Sequence, residues 1–320
     1  MIRTIVLGQP YWGIRISQAL HAPEAGLTSA FVGQRGWPGL LLARSTGPTV
    51  LLRAGFRVGG TTPRARAFDA YWSLLRRRFP KAAGAHYWLG TDVLNTTEEA
   101  VAGTLRRSLV AGSHTDLHLA DAPWLVAELA AIGLGIEAQT VHVPQPYPVP
   151  APVEHLPSSF SVLTYLPADR FEFYGGPAVL AAARRLPGVT FLVVGKALED
   201  RASVPANVRF LGWVADMAAS YRETSVVLRV PRHDGFGATV IEGLLNARHV
   251  IYTHDVPGCR SVWPVTDDSL VAEIGDCFKR HNEGQLATNA EGRAYAIREF
   301  SEAALVDRLR SVVREFADGR

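Results

Sequence analysis

Short apolar runs recur along this chain, with amphipathic stretches between them. In the first half they fall at residues 4–7, 30–32, 50–52, 85–89, 116–119 and 140–143. Runs this short, separated by helix-length segments, predict parallel strands buried on both faces and joined by helical crossovers. Thr96 followed by Glu99 has the form of a capping box before Val101, Leu105 and Leu109. Asp121, with Pro123 behind it, predicts the start of another helix that ends near Gly133 and Gly135. The alternation stops at residues 143–152, where prolines occupy 144, 146, 148, 150 and 152. Such a run can continue neither a helix nor an interior strand, so it reads as a stiff extended connection. A second alternation follows, with strands expected at 161–166, 190–195, 208–211, 225–230 and 250–252 and helices at 177–186, 217–221 and 240–246. From 301 to 316, Leu305, Leu309, Val312, Val313 and Phe316 recur at helical spacing.

The pattern therefore predicts an α/β chain of two Rossmann-like domains, residues 1–148 and 149–300, the terminal helix 301–320 rejoining the first. A length of 320 residues, 48% of them hydrophobic, is enough for two cores. No window holds the roughly 18 consecutive apolar residues of a membrane span. The opening run to Gly8 is too short for a signal peptide, so it reads as a buried strand and the expected location is cytoplasmic. Cys259 and Cys277 fit no zinc spacing and are expected as ordinary buried thiols. Residues 1–150 carry 14 Lys and Arg against 9 Asp and Glu, and the remainder 19 against 21. So mild an asymmetry does not predict nucleic-acid binding. The densest basic cluster, Arg76, Arg77 and Arg78 behind Tyr71 and Trp72, reads either as a solvated helix face or as a contact with an anionic membrane surface at the inner face.

Familiar nucleotide motifs are missing. Gly8 to Gly13 superficially resembles a P-loop, but Ile14 and Arg15 stand where Lys and Ser or Thr are needed. The dinucleotide G-x-G-x-x-G is absent there, and the chain has no D-x-D, H-E-x-x-H or G-x-S-x-G. No metal site is expected.

The informative segment runs from Pro231 to Gly243. A strand ending near residue 230 opens into a loop with Gly235 and Gly237, and a helix starts around Ala238. Glycines let backbone amides approach a ligand, and the helix start offers unpaired N–H groups suited to a diphosphate. Asp234 precedes the loop and Glu242 lies one turn into the helix, bracketing that anion site.

This arrangement resembles the E-x7-E signature of the large retaining glycosyltransferase family 4, or group 1, with Asp234 in place of the first Glu. The resemblance extends to Val250–Tyr252 with Asp255 to Gly258, to Leu192 through Gly195 followed by Pro205 through Val214, to His86 through Val93, and to Asp121 through Leu125. It implies the GT-B fold, two Rossmann-like domains facing a central cleft, the first on the acceptor side and the second on the donor side. It implies metal-independent transfer of a sugar, a hexose above all, from a nucleoside-diphosphate sugar to an acceptor hydroxyl with retention. That donor is a co-substrate, no cofactor is implied, and the partners are the donor and a glycan or lipid-linked acceptor. By the same resemblance Asp234 touches the donor sugar, Gly235, Phe236, Gly237, Ala238 and Thr239 bind phosphate, Glu242 holds the ribose, and Gly212 and Trp213 lie beside the base. Arg170 matches the family's cation on the loop after the second domain's first strand. The Lys that usually follows is missing, and Arg232 is the candidate second charge. His86 is the candidate polar group near the sugar, and Tyr11, Trp12, Gly13 and Asp92 are expected to line the cleft. A sugar-nucleotide epimerase and a non-catalytic sugar-nucleotide-binding module of the same fold are the alternatives.

Overall fold

A computed structural model describes residues 1–42, 48–195 and 204–319. Contacts divide the chain into two compact units, Met1–Pro146 with Glu302–Arg320, and Tyr147–Ser301. The first unit runs β1 (Ile2–Gly8), α1 (Pro10–Leu20), β2 (Leu27–Val32), α2 (Trp37–Leu42), β3 (Val50–Ala54), α3 (Pro63–Arg78), β4 (Ala83–Trp88), α4 (Thr91–Val101), α5 (Arg107–Ala111), β5 (Leu117–Ala120), α6 (Pro123–Ala131) and β6 (Ala138–Thr140). Its strands pair in parallel in the order β2-β1-β3-β4-β5-β6.

The second unit runs β7 (Ser161–Tyr165), α7 (Gly176–Arg185), β8 (Thr190–Val194), β9 (Val208–Gly212), α8 (Met217–Arg222), β10 (Val226–Arg229), α9 (Ala238–Leu245), β11 (His249–Tyr252), β12 (Cys259–Ser261), α10 (Asp267–Asn282) and α11 (Ala290–Phe300). These strands are also parallel, in the order β12-β11-β10-β7-β8-β9. The chain ends in α12 (Glu302–Asp318), which belongs to the first unit. No helix among the described residues is long and apolar enough to cross a membrane.

Both sheets are covered on both faces, which explains why their strands read as continuous apolar runs. In the first unit, Val6, Leu52, Ala85 and Leu119 form one core with Ile16 and Leu20 of α1 and Leu309 and Val313 of α12. Arg310 Nε donates to the Ala19 carbonyl at 2.7 Å, fixing α12 beside the end of α1. The opposite face packs Ile5, Leu7 and Leu51 against Phe68, Trp72 and Leu75 of α3. The core of the second unit gathers Val162, Phe191, Leu228 and Ile251 with Val179 of α7 and Ile274 of α10.

Two local expectations give way. Thr96 and Glu99 lie inside α4 and do not cap it; the N-cap is Gly90, and Asp92 in the first turn folds back, its Oδ1 accepting from the amides of Leu89, Gly90 and Val93 at 2.9, 2.9 and 3.1 Å. Glu99 is drawn away to the amide and hydroxyl of Thr61 and to Arg57. Asp121 does not cap α6, because its Oδ1 accepts from the Val143 amide at 2.8 Å and ties β5 to the segment after β6. Residues 10–13, in the stretch that superficially resembles a P-loop, form the first turn of α1, begun by Pro10. Gly13 serves packing there: a Cβ would lie 2.4 Å from the Phe31 ring. Of the two thiols, Cys277 is buried and Cys259 half-buried.

Because Leu309 is fully buried between α12 and the sheet, Leu309→Ala should cost the first unit about 2–5 kcal/mol. A lowered urea midpoint, followed by circular dichroism, checks this.

Candidate functional site

Strand order locates the site before any side chain does. In the second unit the chain enters at β7, proceeds outward through β8 and β9, then returns to the other side of β7 as β10. The loops after β7 and β10 therefore leave in opposite directions, and ligands of open α/β sheets bind in the crevice this creates at the carboxyl ends. The Arg232 amide donates to the Phe173 carbonyl at 2.8 Å, stitching the two loops together.

The buried strand β10 ends in Arg229, a residue the apolar pattern did not single out. Its Nε donates to Asp234 Oδ2 at 2.8 Å and its Nη2 to Oδ1 at 2.7 Å, a two-pronged ion pair whose side chains are 8% and 11% exposed. Tyr252 Oη lies 3.3 Å from the same Oδ2, and the Tyr174 ring lies 4.7 Å from the guanidinium carbon. Burial pulls the Arg229 pKa down, but the Asp234 charge and hydrogen bonds outweigh it and hold the guanidinium above its ordinary value. Gly237 exists partly for this pair: a Cβ there would meet Asp234 Oδ2 at 2.9 Å and Arg229 Nε at 3.0 Å.

Helix α9 follows directly. Its N-cap, Gly237, provides no side-chain cap, and the first turn holds no acid, so its leading amides have no helical acceptor. The Thr239 hydroxyl in this turn is buried and has no hydrogen-bond partner among the described residues. One turn on, Glu242 Oε2 accepts from the Tyr221 hydroxyl at 2.5 Å. Burial pushes the Glu242 carboxyl up, and the Tyr221 bond offsets this only in part. Glu242 and Thr239 line a cavity of about 110 Å³ with Tyr165, Val194, Trp213 and Met217. Trp213 is 80% exposed, an aromatic shelf just past Gly212 at the end of β9. Arg170 lies in the turn after β7, its guanidinium carbon 4.0 Å from the Phe173 ring centre and without a carboxylate partner among the described residues. Arg232 is exposed in the loop after β10.

The sequence candidates thus separate by unit. Asp234, Gly235, Phe236, Gly237, Ala238, Thr239, Glu242, Gly212, Trp213, Arg170 and Arg232 all belong to the second unit, on the loops and strand ends just described. Tyr11, Trp12, Gly13, His86 and Asp92 belong to the first. Tyr11 is half exposed under the Arg15 guanidinium, Trp12 packs on the core, and Asp92 is buried in the first turn of α4 with its Oδ1 on backbone amides. His86 was expected at a strand end facing the sugar. It is instead internal to β4 and 2% exposed, its Nε2 2.9 Å from Asp116 Oδ2. Arg229, Tyr221 and Tyr252 were missed. An arginine inside a run read as a buried strand was the one available signal, since a buried charge requires a partner.

Residues 177–280 match the family model described as glycosyl transferases group 1. No curated protein matches the chain significantly by sequence. Among solved structures, HepE of Anabaena in complex with UDP-glucose superposes with a TM-score of 0.66 at 12% identity, covering 98% of this chain and 100% of its own. The sucrose-phosphate synthase of Thermosynechococcus elongatus reaches 0.70 at 14% identity over 99% and 100%. The lipopolysaccharide outer core galactosyltransferase WaaB reaches 0.68 at 11% over 98% and 99%. The fold is that of the GT-B glycosyltransferases, with two Rossmann-like α/β units.

Arg229→Met leaves the Asp234 carboxylate nearly buried without its cation, and should cost about 3 kcal/mol in urea unfolding. Adding Asp234→Asn removes the stranded charge and should recover a large part of that loss.

Proposed function

We propose that this chain is a glycosyltransferase that moves a sugar, a hexose first among candidates, from a nucleoside-diphosphate donor to an acceptor hydroxyl, with retention and without a metal. One observation carries the reading: at the switch point of the second sheet, the uncapped start of α9 and the unpartnered Thr239 hydroxyl lie beside a carboxylate already neutralised by Arg229. The group 1 match spans this segment, and the similar HepE structure is named for its UDP-glucose complex; both support the assignment.

In this reading the diphosphate rests on the leading amides of α9 and on Thr239, with Arg170 and Arg232 supplying positive charge. The base lies in the cavity against Trp213, and the Glu242 oxygen not bonded to Tyr221 accepts from ribose hydroxyls. Asp234, oriented by Arg229, accepts from a sugar hydroxyl. As the glycosidic bond to the diphosphate breaks, negative charge grows on the departing phosphate oxygen, where fixed amides stabilise it without reorganising. The acceptor oxygen bonds to the anomeric carbon on the face the phosphate leaves, and its proton passes to that phosphate oxygen. No covalent sugar–enzyme intermediate forms, so no nucleophile is assigned. The acceptor is a glycan or lipid-linked hydroxyl, and the reaction belongs in the cytoplasm.

Calorimetry and transfer assays with UDP-, GDP- and ADP-sugars test this. One donor should bind and be turned over with a chelator present, and Asp234→Ala and Glu242→Ala should each weaken it about tenfold to a hundredfold. Unchanged affinity in both variants overturns the site, and binding without transfer or donor hydrolysis overturns the activity.

Glu242 also sets a pH dependence. Its carboxyl titrates above the ordinary carboxylate range, and only the ionised form is the full acceptor for ribose hydroxyls. Donor affinity should therefore rise with pH through that elevated range and level off above it, whereas Glu242→Gln should bind weakly with a flat profile across the same range.

A further inference from the structure

The first unit holds a second chemical feature that sugar transfer does not use. Parallel register places Arg53 of β3 beside His86 of β4, and His86 beside His118 of β5. All three are 1–2% exposed, on a sheet face that is ordinarily apolar. Two carboxylates answer this row. Asp69 of α3 accepts from Arg53 at 3.1 Å and pairs with Arg106. Asp116, just before β5, faces His86 at 2.9 Å and Arg76 at 3.3 Å.

The cluster is not internally complete. Arg53, Arg76 and Arg106 already outnumber Asp69 and Asp116, and Arg77, exposed on α3, adds a cation with no partner among the described residues. The two histidines also differ. His118 is used at both nitrogens, by the Ser113 carbonyl at 3.0 Å and by the Trp88 indole N–H at 3.1 Å. His86 is used at one: the proton it shares with the Asp116 carboxylate sits on Nε2, which leaves Nδ1 a bare acceptor, buried and without a partner among the described residues. Burial pulls the His86 pKa down to about 3, so the ring stays neutral. Burial alone would raise the Asp116 carboxyl, but His86 and Arg76 hold it below its usual range, so it stays ionised. A cavity of about 370 Å³ opens over this row between α3 and α5, with Arg53, Trp72, Arg76, Arg77, His86 and Asp116 in its wall. A polar row that merely fastened α3 to the sheet would require neither the cavity nor the surplus cation. Asp116 and Ser113 precede β5, so the cavity lies toward the amino end of that strand, opposite the carboxyl ends where ligands of such sheets react.

We infer that this cavity binds a small anion carrying its own hydroxyl donor, a phosphate monoester being the simplest, with its oxygens on Arg76 and Arg77 and its hydroxyl donating to His86 Nδ1. Sulfate offers the charge without the donor and binds more weakly. The site belongs to the first unit alone and does not rest on the proposed transferase activity.

The test uses the whole chain, titrated by calorimetry with inorganic phosphate, glycerol 1-phosphate and sulfate, while the imidazole nitrogens are followed by ¹⁵N NMR. The two phosphates should bind and move the His86 Nδ1 resonance, and sulfate should bind several-fold more weakly. Arg77→Gln, a change on an exposed helix face that leaves folding intact, should weaken phosphate about tenfold. Vesicles bearing phosphatidic acid or phosphatidylglycerol separate the sources of the ligand. Preference for phosphatidic acid over glycerol 1-phosphate supports a lipid-borne monoester, and the reverse preference supports a free one. Absence of heat and of any His86 shift at millimolar phosphate overturns the site, as does an Arg77→Gln variant that binds as well as the parent. Equal binding of both vesicle types with no His86 shift overturns it too, reducing the effect to surface charge.

Discussion

The ion pair between Arg229 and Asp234 is the interaction on which the carboxyl edge of the second sheet depends. A carboxylate at the mouth of an anion site is self-defeating unless its charge is cancelled locally. A nearly buried guanidinium does this at 2.7–2.8 Å. The pair then dictates its surroundings. Gly237 must lack a side chain, because a Cβ there would strike both partners. Tyr252, at the end of the next strand, faces the same oxygen. The loop is thus fixed at its start by β10, in its middle by Asp234 and at its end by the first turn of α9. Those contacts aim the α9 amides and leave the Thr239 hydroxyl unfilled.

The first unit repeats the device in different surroundings. Arg53 lies on β3, the strand that pairs with β1 on the side away from β2, just as Arg229 lies on β10, which pairs with β7 on the side away from β8. Each arginine emerges from an otherwise apolar run beside the point where strand order reverses. Each also reaches a carboxylate further along the chain, Asp69 for Arg53 and Asp234 for Arg229. Arg53 additionally donates to the carbonyls of Phe56 and Arg57, so it too holds down the loop after its own strand. The outcomes differ in where the polarity goes. In the second unit it reaches the strand ends, and in the first it continues sideways through His86 and His118 beneath α3. Desolvating such groups is costly, so the buried charges of each row are matched by partners.

This contrast explains what the sequence could and could not reveal. Periodicity identified nearly every strand, because a parallel strand covered on both faces has no alternative but to be apolar. The run of prolines from 144 to 152 marked the junction because no regular element tolerates it. The loop from Arg232 to Glu242 was readable because glycines and acids at fixed offsets constrain backbone and charge within a few residues. Long-range polar pairing was not readable. Whether Asp121 caps α6 or holds the Val143 amide, and whether Glu99 closes a cap or reaches Thr61, depends on what tertiary structure brings near. His86 shows the same limit: its position in the chain is compatible with a strand end, and only the register with Arg53 and His118 places it under a helix.

In the proposed function, electrostatics also bears on the lysine that the resemblance to the group 1 pattern implies and this chain lacks. Two acids flank the start of α9, and left fully charged and unpaired they would require two cations before any could attend a diphosphate. Here Asp234 is cancelled by Arg229 from beneath the loop. Glu242 is handled differently: burial raises its carboxyl pKa, and the hydrogen bond from Tyr221 offsets this in part by favouring the ionised form. Arg170, stacked on Phe173, has no carboxylate partner among the described residues, so its charge is not committed to a protein acid. In the proposed function the α9 amides, with arginines on neighbouring loops, oppose the diphosphate where the resemblance to the group 1 pattern implies an arginine and a lysine on one loop.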